Sequence, residues 1–319
     1  MSTVPLVVCL MGPTATGKTA LAIELARRLP VGLISVDSAL VYRGMNIGTG
    51  KPDAGLLAEI PHRLIDIREP WESYSAGEFV RDVRTAIAEV VSAGRVPLLV
   101  GGTMLYFRSL WQGLSVLPEG DSEVRAALDL RAAVVGWPAL HAELARVDPR
   151  TAERLQPTDR QRIQRALEVW QLTGVPLSTQ QGHASPPDDL RFLRIAVMPG
   201  ERQLLHARIE ARFSEMLAQG FVGEVEELMQ LPDMRADCPA MRAVGYRQLW
   251  EMLAGNHDRA EAERRALAAT RQLAKRQLTW LRHEVCEQRI AMEANDLAGA
   301  VEARLRAHGV QDAISVSSG

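Results

Sequence analysis

The sequence predicts an α/β fold: a parallel sheet that carries a phosphate-binding loop (P-loop), is flanked by helices and is interrupted by a mainly helical insertion domain. Short apolar runs alternate with helical patterns over residues 1–116. These runs are continuously apolar, which is typical of parallel strands buried on both faces. The first run leads into a glycine-rich loop and then a helical pattern, which is the arrangement of a phosphate-binding strand–helix unit.

The elements of the predicted core follow in chain order. The first strand, PLVVCLM, precedes the helical pattern TALAIELARRL, and the second strand, GLISVD, is followed further along by the helical pattern AGEFVRDVRTAIAEVVSAG. The run VPLLV predicts a third strand. The run RFLRIAVM at 191–198 predicts a fourth strand of the same sheet, and long helical patterns follow at 201–220 and 260–284.

The segment from 117 to 189 differs from the rest, because its strand signals stop. It reads as helices separated by the turn signals GWP, DP, QP and LTGVP. We therefore expect a core domain formed by residues 1–116 and 190–319, with C-terminal helices, and a helical insertion domain formed by residues 117–189.

Composition and charge narrow the class of protein. The formal net charge of -2 gives no argument for nucleic-acid binding, which has to come from local patches. No apolar run approaches the ~20 residues of a membrane span, and the N-terminus lacks the features of a signal peptide. Cys9, Cys238 and Cys286 lie far apart, without the spacing of a zinc site or a disulfide framework. We expect a cytoplasmic protein that does not bind membranes.

The loop after the first strand matches the pattern G-x-x-x-x-G-K-[ST] at Gly12, Gly17, Lys18 and Thr19. Glycines let successive N–H groups point inward, the lysine supplies a cation, and the threonine can hold Mg²⁺. The full loop is Gly12, Pro13, Thr14, Ala15, Thr16, Gly17, Lys18 and Thr19. The alternative is a tight turn with a solvated Lys18. The pattern does not tell whether a bound phosphate is transferred, hydrolysed or released.

Polar residues follow two other predicted strands. Asp37 ends GLISVD, and Thr103 follows VPLLV after Gly101 and Gly102. In an open parallel sheet, ligands bind outside the carboxyl ends of the strands, so we expect both side chains to face the phosphates. Asp37 could bind Mg²⁺, act as a general base or cap a helix without a chemical role. The two glycines indicate either close backbone approach or a plain strand-ending turn.

Basic residues cluster in three places. Arg160, Arg162 and Arg165 are closely spaced on one predicted helix, MRAVGYR adds two arginines and a tyrosine, and 264–283 carries basic residues without one acidic residue. Such clusters are usually solvated helix faces, and from charge alone that interpretation is favoured over RNA binding.

Five longer motifs carry a family resemblance. They are DSALVYRGMNIGTGKP at 37–52, GGTMLYFRSLWQGLSVLP at 101–118, RQRIQRALEVWQLTGVPLS at 160–178, MRAVGYRQLW at 241–250 and TRQLAKRQLTWLR at 270–282. In this order they resemble the bacterial tRNA dimethylallyltransferases. The chain departs from the family at Gly50, where alanine is common, and we expect this glycine to loosen its loop slightly.

The resemblance implies an activity. A dimethylallyl group would pass from dimethylallyl diphosphate to N6 of the adenosine immediately 3′ of the anticodon, in tRNAs that read codons beginning with U. The P-loop would hold the diphosphate as the leaving group, with Mg²⁺ near Thr19. Arg212 of the motif RIEARF would be a second cation on the diphosphate. The alternative for Arg212 is a solvated position on its helix. Asp37 would be the general base, and Thr103 would position the diphosphate or the amine.

The resemblance also implies a partner, the anticodon stem-loop of tRNA, and a monomer whose insertion closes over it. The implied contacts are Asp37, Ser38, Ala39, Leu40, Thr103, Arg160, Gln161, Arg162, Ile163, Gln164, Arg165, Arg242, Ala243, Val244, Gly245, Tyr246, Arg247, Lys275 and Arg276. Two rival hypotheses are a P-loop kinase that uses ATP and a nucleotide-gated RNA-binding protein without catalytic activity. The kinase leaves the arginine-rich insertion unexplained.

Overall fold

The structure is a computed structural model. It describes residues 4–113, 115, 117–181 and 186–310. The ends of the predicted core domain, 1–3 and 311–319, lie outside the described residues. Contacts divide the chain into two compact units, one of Leu110–Pro187 and one of the remaining residues.

The first unit contains a six-stranded sheet in which every described pair of neighbours is parallel, in the order β3-β2-β4-β1-β5-β6. Its strands are β1 (Leu6–Met11), β2 (Val31–Val36), β3 (His62–Arg63), β4 (Val96–Gly101), β5 (Arg191–Met198) and β6 (Gln288–Ala291). The predicted α/β class and the four predicted strands are confirmed. The two edge strands β3 and β6 were not predicted, because their short segments carry no continuous apolar run.

The register of the central strands aligns their carboxyl ends. Met11 of β1 pairs with Gly101 of β4, and Gly101 pairs with Val36 of β2. The residues that follow these three strands therefore leave the sheet at one edge and at one level. Strand β1 is buried from Val7 to Met11, so the loop after it is anchored in the centre of the core.

Helices of this unit flank the sheet. They are α1 (Lys18–Arg28), α2 (Ala54–Glu59), α3 (Ala76–Ser92), α4 (Met104–Gln112, which runs into the second unit), α10 (Arg202–Ala218), α11 (Phe221–Met229), α12 (Tyr246–Leu253), α13 (Arg259–His283) and α14 (Leu297–Ala307). Local signals start several of them: Ser75 and Glu78 form a reciprocal capping box on α3, and Asp258 caps α13. Among the described helices, none combines the length and the apolar run that crossing a bilayer requires.

Two apolar clusters stabilise the first unit. One joins the sheet to α1, α10 and α14 through residues such as Leu10, Leu25 and Val301. The other packs the segment around Val41 and Met45 against α10 to α13, with Phe221 at its centre. This second cluster borders the edge of the sheet where the central strands end.

The second unit is helical over its described residues. Its further helices are α5 (Ser122–Val135), α6 (Trp137–Val147), α7 (Pro149–Arg154), α8 (Arg160–Thr173) and α9 (Leu177–Gln180). Leu128, Leu140, Leu144 and Leu167 form the centre of its core. Glu168 is fully buried there, where it accepts hydrogen bonds from Arg125, Arg165 and the backbone N–H of Asp121.

Candidate active site

A cavity of about 280 Å³ lies where the central strands of the first unit end. Its walls come from the P-loop, the ends of β2 and β4, the loop at 48–50, helix α10, the turn at 242–246 and helix α13. It brings together many of the residues singled out in the sequence. These are Thr14, Ala15, Lys18, Thr19, Asp37, Ser38, Ala39, Leu40, Thr103, Arg212, Arg242, Ala243, Val244, Gly245, Tyr246 and Arg276.

The P-loop has the backbone shape that anion binding needs. Ala15 and Gly17 have left-handed φ angles of 63° and 83°. A Cβ on Gly12 would lie 2.6 Å from the Val197 carbonyl oxygen, so residue 12 has room only for glycine. Helix α1 begins at Lys18, and its first N–H groups have no partner within the helix. The loop and the positive end of the helix dipole therefore form a site suited to a phosphate.

The Lys18 ammonium is folded over this loop. Its Nζ donates to the Pro13 carbonyl oxygen at 2.5 Å and to Thr16 Oγ1 at 3.4 Å. Burial lowers the pKa of Lys18 to about 7, opposed by nearby Asp37 and reinforced by Arg212. Burial disfavours the charged form of Lys18, so a negatively charged ligand beside it stabilises that form strongly.

Gln277 of α13 connects the P-loop to the end of β4. Its Oε1 accepts the Thr14 N–H at 2.9 Å, and its Nε2 donates to the Gly102 carbonyl oxygen at 3.0 Å. Gln277 is not among the predicted site residues. The available signal was its helical spacing, because Ala274 and Leu281 lie three and four residues away on the buried face of α13.

Replacing Gln277 with leucine is expected to weaken the binding of inorganic diphosphate about tenfold. The change removes two neutral hydrogen bonds, each worth roughly 0.5–1.5 kcal/mol, that fix the shape of the loop. Calorimetric titration of wild type and variant measures this. Gln272→Leu, on an exposed position of the same helix, is the control. Equal affinities for wild type and Gln277→Leu would show that the loop keeps its shape without this bridge.

Asp37 and Thr103 both face the cavity and are held in place by backbone amides. Asp37 Oδ1 accepts the N–H groups of Ala39 at 2.8 Å and Leu40 at 3.3 Å. Thr103 Oγ1 accepts the N–H of Ser38 at 3.2 Å. No described helix begins at Asp37, so its side chain holds the turn after β2 instead of capping a helix, and its carboxylate lines the cavity.

The glycines before Thr103 mark a close approach of backbone. A Cβ on Gly101 would lie 1.9 Å from the Val36 carbonyl oxygen, and one on Gly102 would lie 2.4 Å from Gln277 Nε2. The alternative of a plain strand-ending turn does not account for this crowding.

Arg212 reaches the cavity from α10. Its Nη2 donates to the Thr49 carbonyl oxygen at 3.1 Å. Burial lowers its pKa, against the opposing effect of Asp37 and Glu215. Gly50 has a φ of 65°, and a Cβ there would lie 2.1 Å from Arg212 Nη2. The glycine therefore does more than loosen its loop, because the guanidinium fills the space that an alanine methyl group would take.

The residues present fit the sparse kind of Mg²⁺ site found in phosphate-binding enzymes. Mg²⁺ usually keeps several waters and takes one or two protein oxygens together with substrate phosphates. Thr19 and Asp37 both line the cavity and offer a hydroxyl and a carboxylate. Within the described part of the chain, no group of three or more His, Cys, Asp or Glu side chains could hold a metal by itself.

The turn at 242–246 forms one wall, but its tyrosine is not free to stack on a base. Tyr246 is fully buried, and its hydroxyl donates to Glu224 Oε1 at 2.5 Å. Burial raises the pKa of Tyr246, as does the neighbouring carboxylate of Glu224. The prediction that Tyr246 grips tRNA is therefore wrong for its side chain, which supports the cavity wall from behind.

The basic residues of α13 differ in their surroundings. Arg276 lines both the cavity and a neighbouring surface pocket, which Lys275 and Trp280 also line. By contrast, Arg264 and Arg265 pair with Glu261, and Arg271 pairs with Glu210. Outside α13, Arg247 is exposed and pairs with Glu251. On α13, the exposed cations next to the cavity are thus Lys275 and Arg276.

The predicted tRNA contacts on α8 belong to the second unit and divide into two groups. Arg160, Gln161 and Arg162 are exposed. Arg160 pairs at the surface with Asp129, and Arg162 pairs with Asp159. Ile163 is fully buried among apolar side chains, so the prediction that it contacts tRNA is wrong for its side chain. Arg165 donates to Glu168 and to the Pro118 carbonyl oxygen, each at 2.7 Å, and Gln164 donates to the carbonyl oxygen of Arg125. These last two stabilise the unit.

Comparison with protein families gives two matches. The model of a family described as IPP transferase matches residues 40–284, and the model of a family described as isopentenyl transferase matches residues 5–70.

Curated relatives cover most of the chain. A tRNA dimethylallyltransferase of Alkalilimnicola ehrlichii is 59% identical over 280 residues, covering 88% of each chain. One of Xanthomonas oryzae pv. oryzae is 56% identical over 289 residues with the same coverage. One of Thioalkalivibrio sulfidiphilus is 56% identical over 305 residues, covering 95% of each chain.

Solved structures with this fold include a tRNA isopentenylpyrophosphate transferase from Bacillus halodurans. It is 33% identical, has a TM-score of 0.69 and is matched over 96% of each chain. A eukaryotic dimethylallyltransferase acting on tRNA is 22% identical, with a TM-score of 0.78, over 95% of this chain and 79% of that one. At that identity the second likeness supports the fold alone.

Proposed function

Since the chain belongs to the IPP transferase family, we propose that it transfers a dimethylallyl group from dimethylallyl diphosphate to tRNA. The acceptor is N6 of the adenosine immediately 3′ of the anticodon in tRNAs that read codons beginning with U, and diphosphate is released. The observation that carries the proposal is one cavity in which a P-loop, the Asp37 carboxylate, the Thr103 hydroxyl and the Arg212 guanidinium converge.

The P-loop acts on the leaving group. As the bond between the allylic carbon and the diphosphate oxygen breaks, its electron pair moves to the oxygen and positive charge is delocalised over the allyl group. Backbone N–H groups of the loop, Lys18 and Arg212 stabilise the negative charge that develops on the diphosphate. Thr19 would hold Mg²⁺ beside the P-loop, and the ion would supply further neutralisation of the diphosphate charge.

Asp37 acts on the nucleophile. The N6 amine of adenine is weakly nucleophilic because its lone pair is delocalised into the ring. As the new C–N bond forms, one N6 proton passes to the Asp37 carboxylate, an effect typically worth about 10²- to 10⁴-fold in rate. The backbone amides on Asp37 Oδ1 hold the carboxylate in place during this step. Thr103, fixed by the Ser38 N–H, positions the diphosphate or the amine.

Transfer to a base in a tRNA loop requires that the base leave its stack, so the protein has to bind the flanking backbone. We assign this role to exposed basic side chains. In the first unit these are Lys275 and Arg276 beside the cavity and Arg242 at its wall. In the helical unit they are Arg160 and Arg162 on α8.

Affinity for tRNA is expected to fall steeply as salt rises, since each phosphate contact contributes roughly -0.7 to -0.9 to the slope of log K against log salt concentration. Filter binding across a KCl series measures the slope. The variant Lys275→Ala/Arg276→Ala is expected to flatten it by about 1 to 2, whereas Arg259→Ala, at an exposed position of α13 paired with Glu263, leaves it unchanged. A flat response of the wild type would contradict phosphate contacts.

We also propose that the protein acts in the cytoplasm as a monomer. The family's tRNA substrate supports this compartment.

The proposed function is tested by intact mass analysis of unmodified tRNA after incubation with the protein, Mg²⁺ and dimethylallyl diphosphate. A parallel reaction contains ATP in place of the prenyl donor. The expected result is a gain of one dimethylallyl group in the first reaction alone, mapped to the adenosine 3′ of the anticodon. Transfer of a phosphoryl group from ATP, without prenylation, would favour the kinase instead.

A further inference from the structure

Glu224 of α11 is a buried carboxylate outside the catalytic set, and it binds the loop that forms one wall of the cavity. Its Oε2 accepts the N–H groups of Asn46 at 2.9 Å and Ile47 at 2.7 Å, and its Oε1 accepts the N–H of Gly48 at 3.1 Å. The Tyr246 hydroxyl completes the set. Three consecutive amides and one hydroxyl therefore converge on a single side chain.

The loop fixed in this way leads directly to Arg212. The next residue after the bound amides is Thr49, whose carbonyl oxygen accepts Arg212 Nη2 at 3.1 Å. The guanidinium lies against Gly50, where no side chain stands in its way. The Thr49 carbonyl is therefore a hydrogen-bonding anchor for the guanidinium on the loop side.

Lys51 fixes the other end of the loop. Lys51 is nearly buried, and its Nζ donates to the Tyr42 carbonyl oxygen at 2.9 Å, to Asn46 Oδ1 at 3.0 Å and to Asp66 Oδ1 at 2.5 Å. The loop is also packed tightly, since a Cβ on Gly48 would lie 2.1 Å from the Phe221 ring. With both ends held, the Thr49 carbonyl has little freedom to move.

We propose that Glu224 is a positioning residue for Arg212: by binding the amides of residues 46–48 it holds the Thr49 carbonyl that orients the guanidinium toward the diphosphate. The proposal rests on the proposed function only in taking the cavity as a diphosphate site. Glu224 itself does not touch the substrate, so its effect on diphosphate binding passes through Arg212.

The test is a double-mutant cycle read out by calorimetric titration with inorganic diphosphate in the presence of Mg²⁺. Glu224→Gln keeps the volume but replaces one acceptor oxygen with a donor, which faces amides that also donate. It is expected to weaken diphosphate binding about tenfold in the wild-type background and to have almost no effect in an Arg212→Met background. A residue that only stabilises the fold would weaken binding equally in both backgrounds.

Asp148→Asn is the matched control. Asp148 is a buried carboxylate of the helical unit that accepts the N–H groups of Thr151 and Ser178. Its substitution is expected to lower the melting temperature without changing diphosphate affinity. Tyr246→Phe combined with Arg212→Met provides a second double-mutant cycle. Tyr246→Phe removes only one hydrogen bond from Glu224, so this cycle decides the outcome if Glu224→Gln does not fold.

The outcomes separate this inference from the proposed function. If the wild type does not bind inorganic diphosphate, the donor site of the proposed function is wrong. If the wild type binds, either of two results overturns the positioning role and leaves the donor site standing. One is that Glu224→Gln or Tyr246→Phe leaves the diphosphate affinity unchanged. The other is that the substitution weakens this affinity equally with and without Arg212.

Discussion

Replacing Asp37 with asparagine is expected to lower the single-turnover rate of prenyl transfer by about 10²- to 10⁴-fold. The carboxamide cannot accept the N6 proton when the C–N bond forms. It retains an oxygen that can accept the N–H groups of Ala39 and Leu40, so the turn after β2 is expected to keep its shape. Affinity for tRNA is expected to stay nearly constant, because the basic side chains assigned to phosphate binding lie elsewhere.

The choice of asparagine separates the two roles that the structure allows for Asp37. Asp37→Ala removes both the base and the acceptor that holds the turn after β2, whereas Asp37→Asn removes only the base. If the base matters, both variants lose turnover to a similar extent. If Asp37→Asn turns over like the wild type and Asp37→Ala does not, the support of the turn after β2 alone explains the residue, and the catalytic assignment is wrong.

Asp53→Asn is the control for this substitution. Asp53 caps α2 by accepting the Leu56 N–H at 2.9 Å, and it does not line the cavity. Like Asp37, it accepts a backbone N–H with its carboxylate, but it has no part in the proposed chemistry. Its single-turnover rate and its tRNA affinity in filter binding are both expected to match those of the wild type.

The sheet and the P-loop could be predicted because their signals are local. Buried parallel strands are continuously apolar, and β1, β2, β4 and β5 each showed such a run. The P-loop pattern specifies the backbone shape through Gly12 and Gly17, so its position at the end of β1 followed from the sequence. Asp37 and Thr103 were expected to meet because the carboxyl ends of parallel strands meet at one edge.

The supports of the cavity could not be predicted, because they depend on contacts between distant parts of the chain. Glu224 binds amides more than 170 residues away, and Gln277 binds the P-loop across 263 residues. Both side chains read as ordinary polar positions on helices. Tyr246 illustrates the opposite error, since the resemblance implied a tRNA contact but the side chain is buried against Glu224.

Ile163 was predictable from information already in the sequence. It lies three residues before Ala166 and four before Leu167, which is the spacing of a buried helix face. Treating RQRIQR as one contact segment ignored this periodicity. The exposed residues of α8 remain a prediction for tRNA binding, and the buried ones stabilise the helical unit.

Replacing Lys18 with methionine is expected to lower kcat/KM for dimethylallyl diphosphate by about 10²- to 10³-fold, the usual loss when one donor to a developing negative charge is removed. The stability of the ligand-free protein is not expected to fall, because burial already disfavours the charged ammonium and lowers its pKa. A ligand that binds only the folded state raises the melting temperature of a protein. Inorganic diphosphate is therefore expected to raise the melting temperature of the wild type, and to raise that of Lys18→Met much less.

Arg27→Met on the same helix is the control. Arg27 is exposed and pairs with Glu59 at 2.9 Å, so it tests the loss of one positive charge from α1 away from the cavity. Its kcat/KM and its diphosphate-dependent melting temperature are expected to match the wild type. If Lys18→Met keeps the full melting-temperature shift but loses turnover, Lys18 acts on the transition state alone. If it keeps both, the backbone amides of the loop and Arg212 are sufficient to hold the leaving group, and Lys18 is not part of the site.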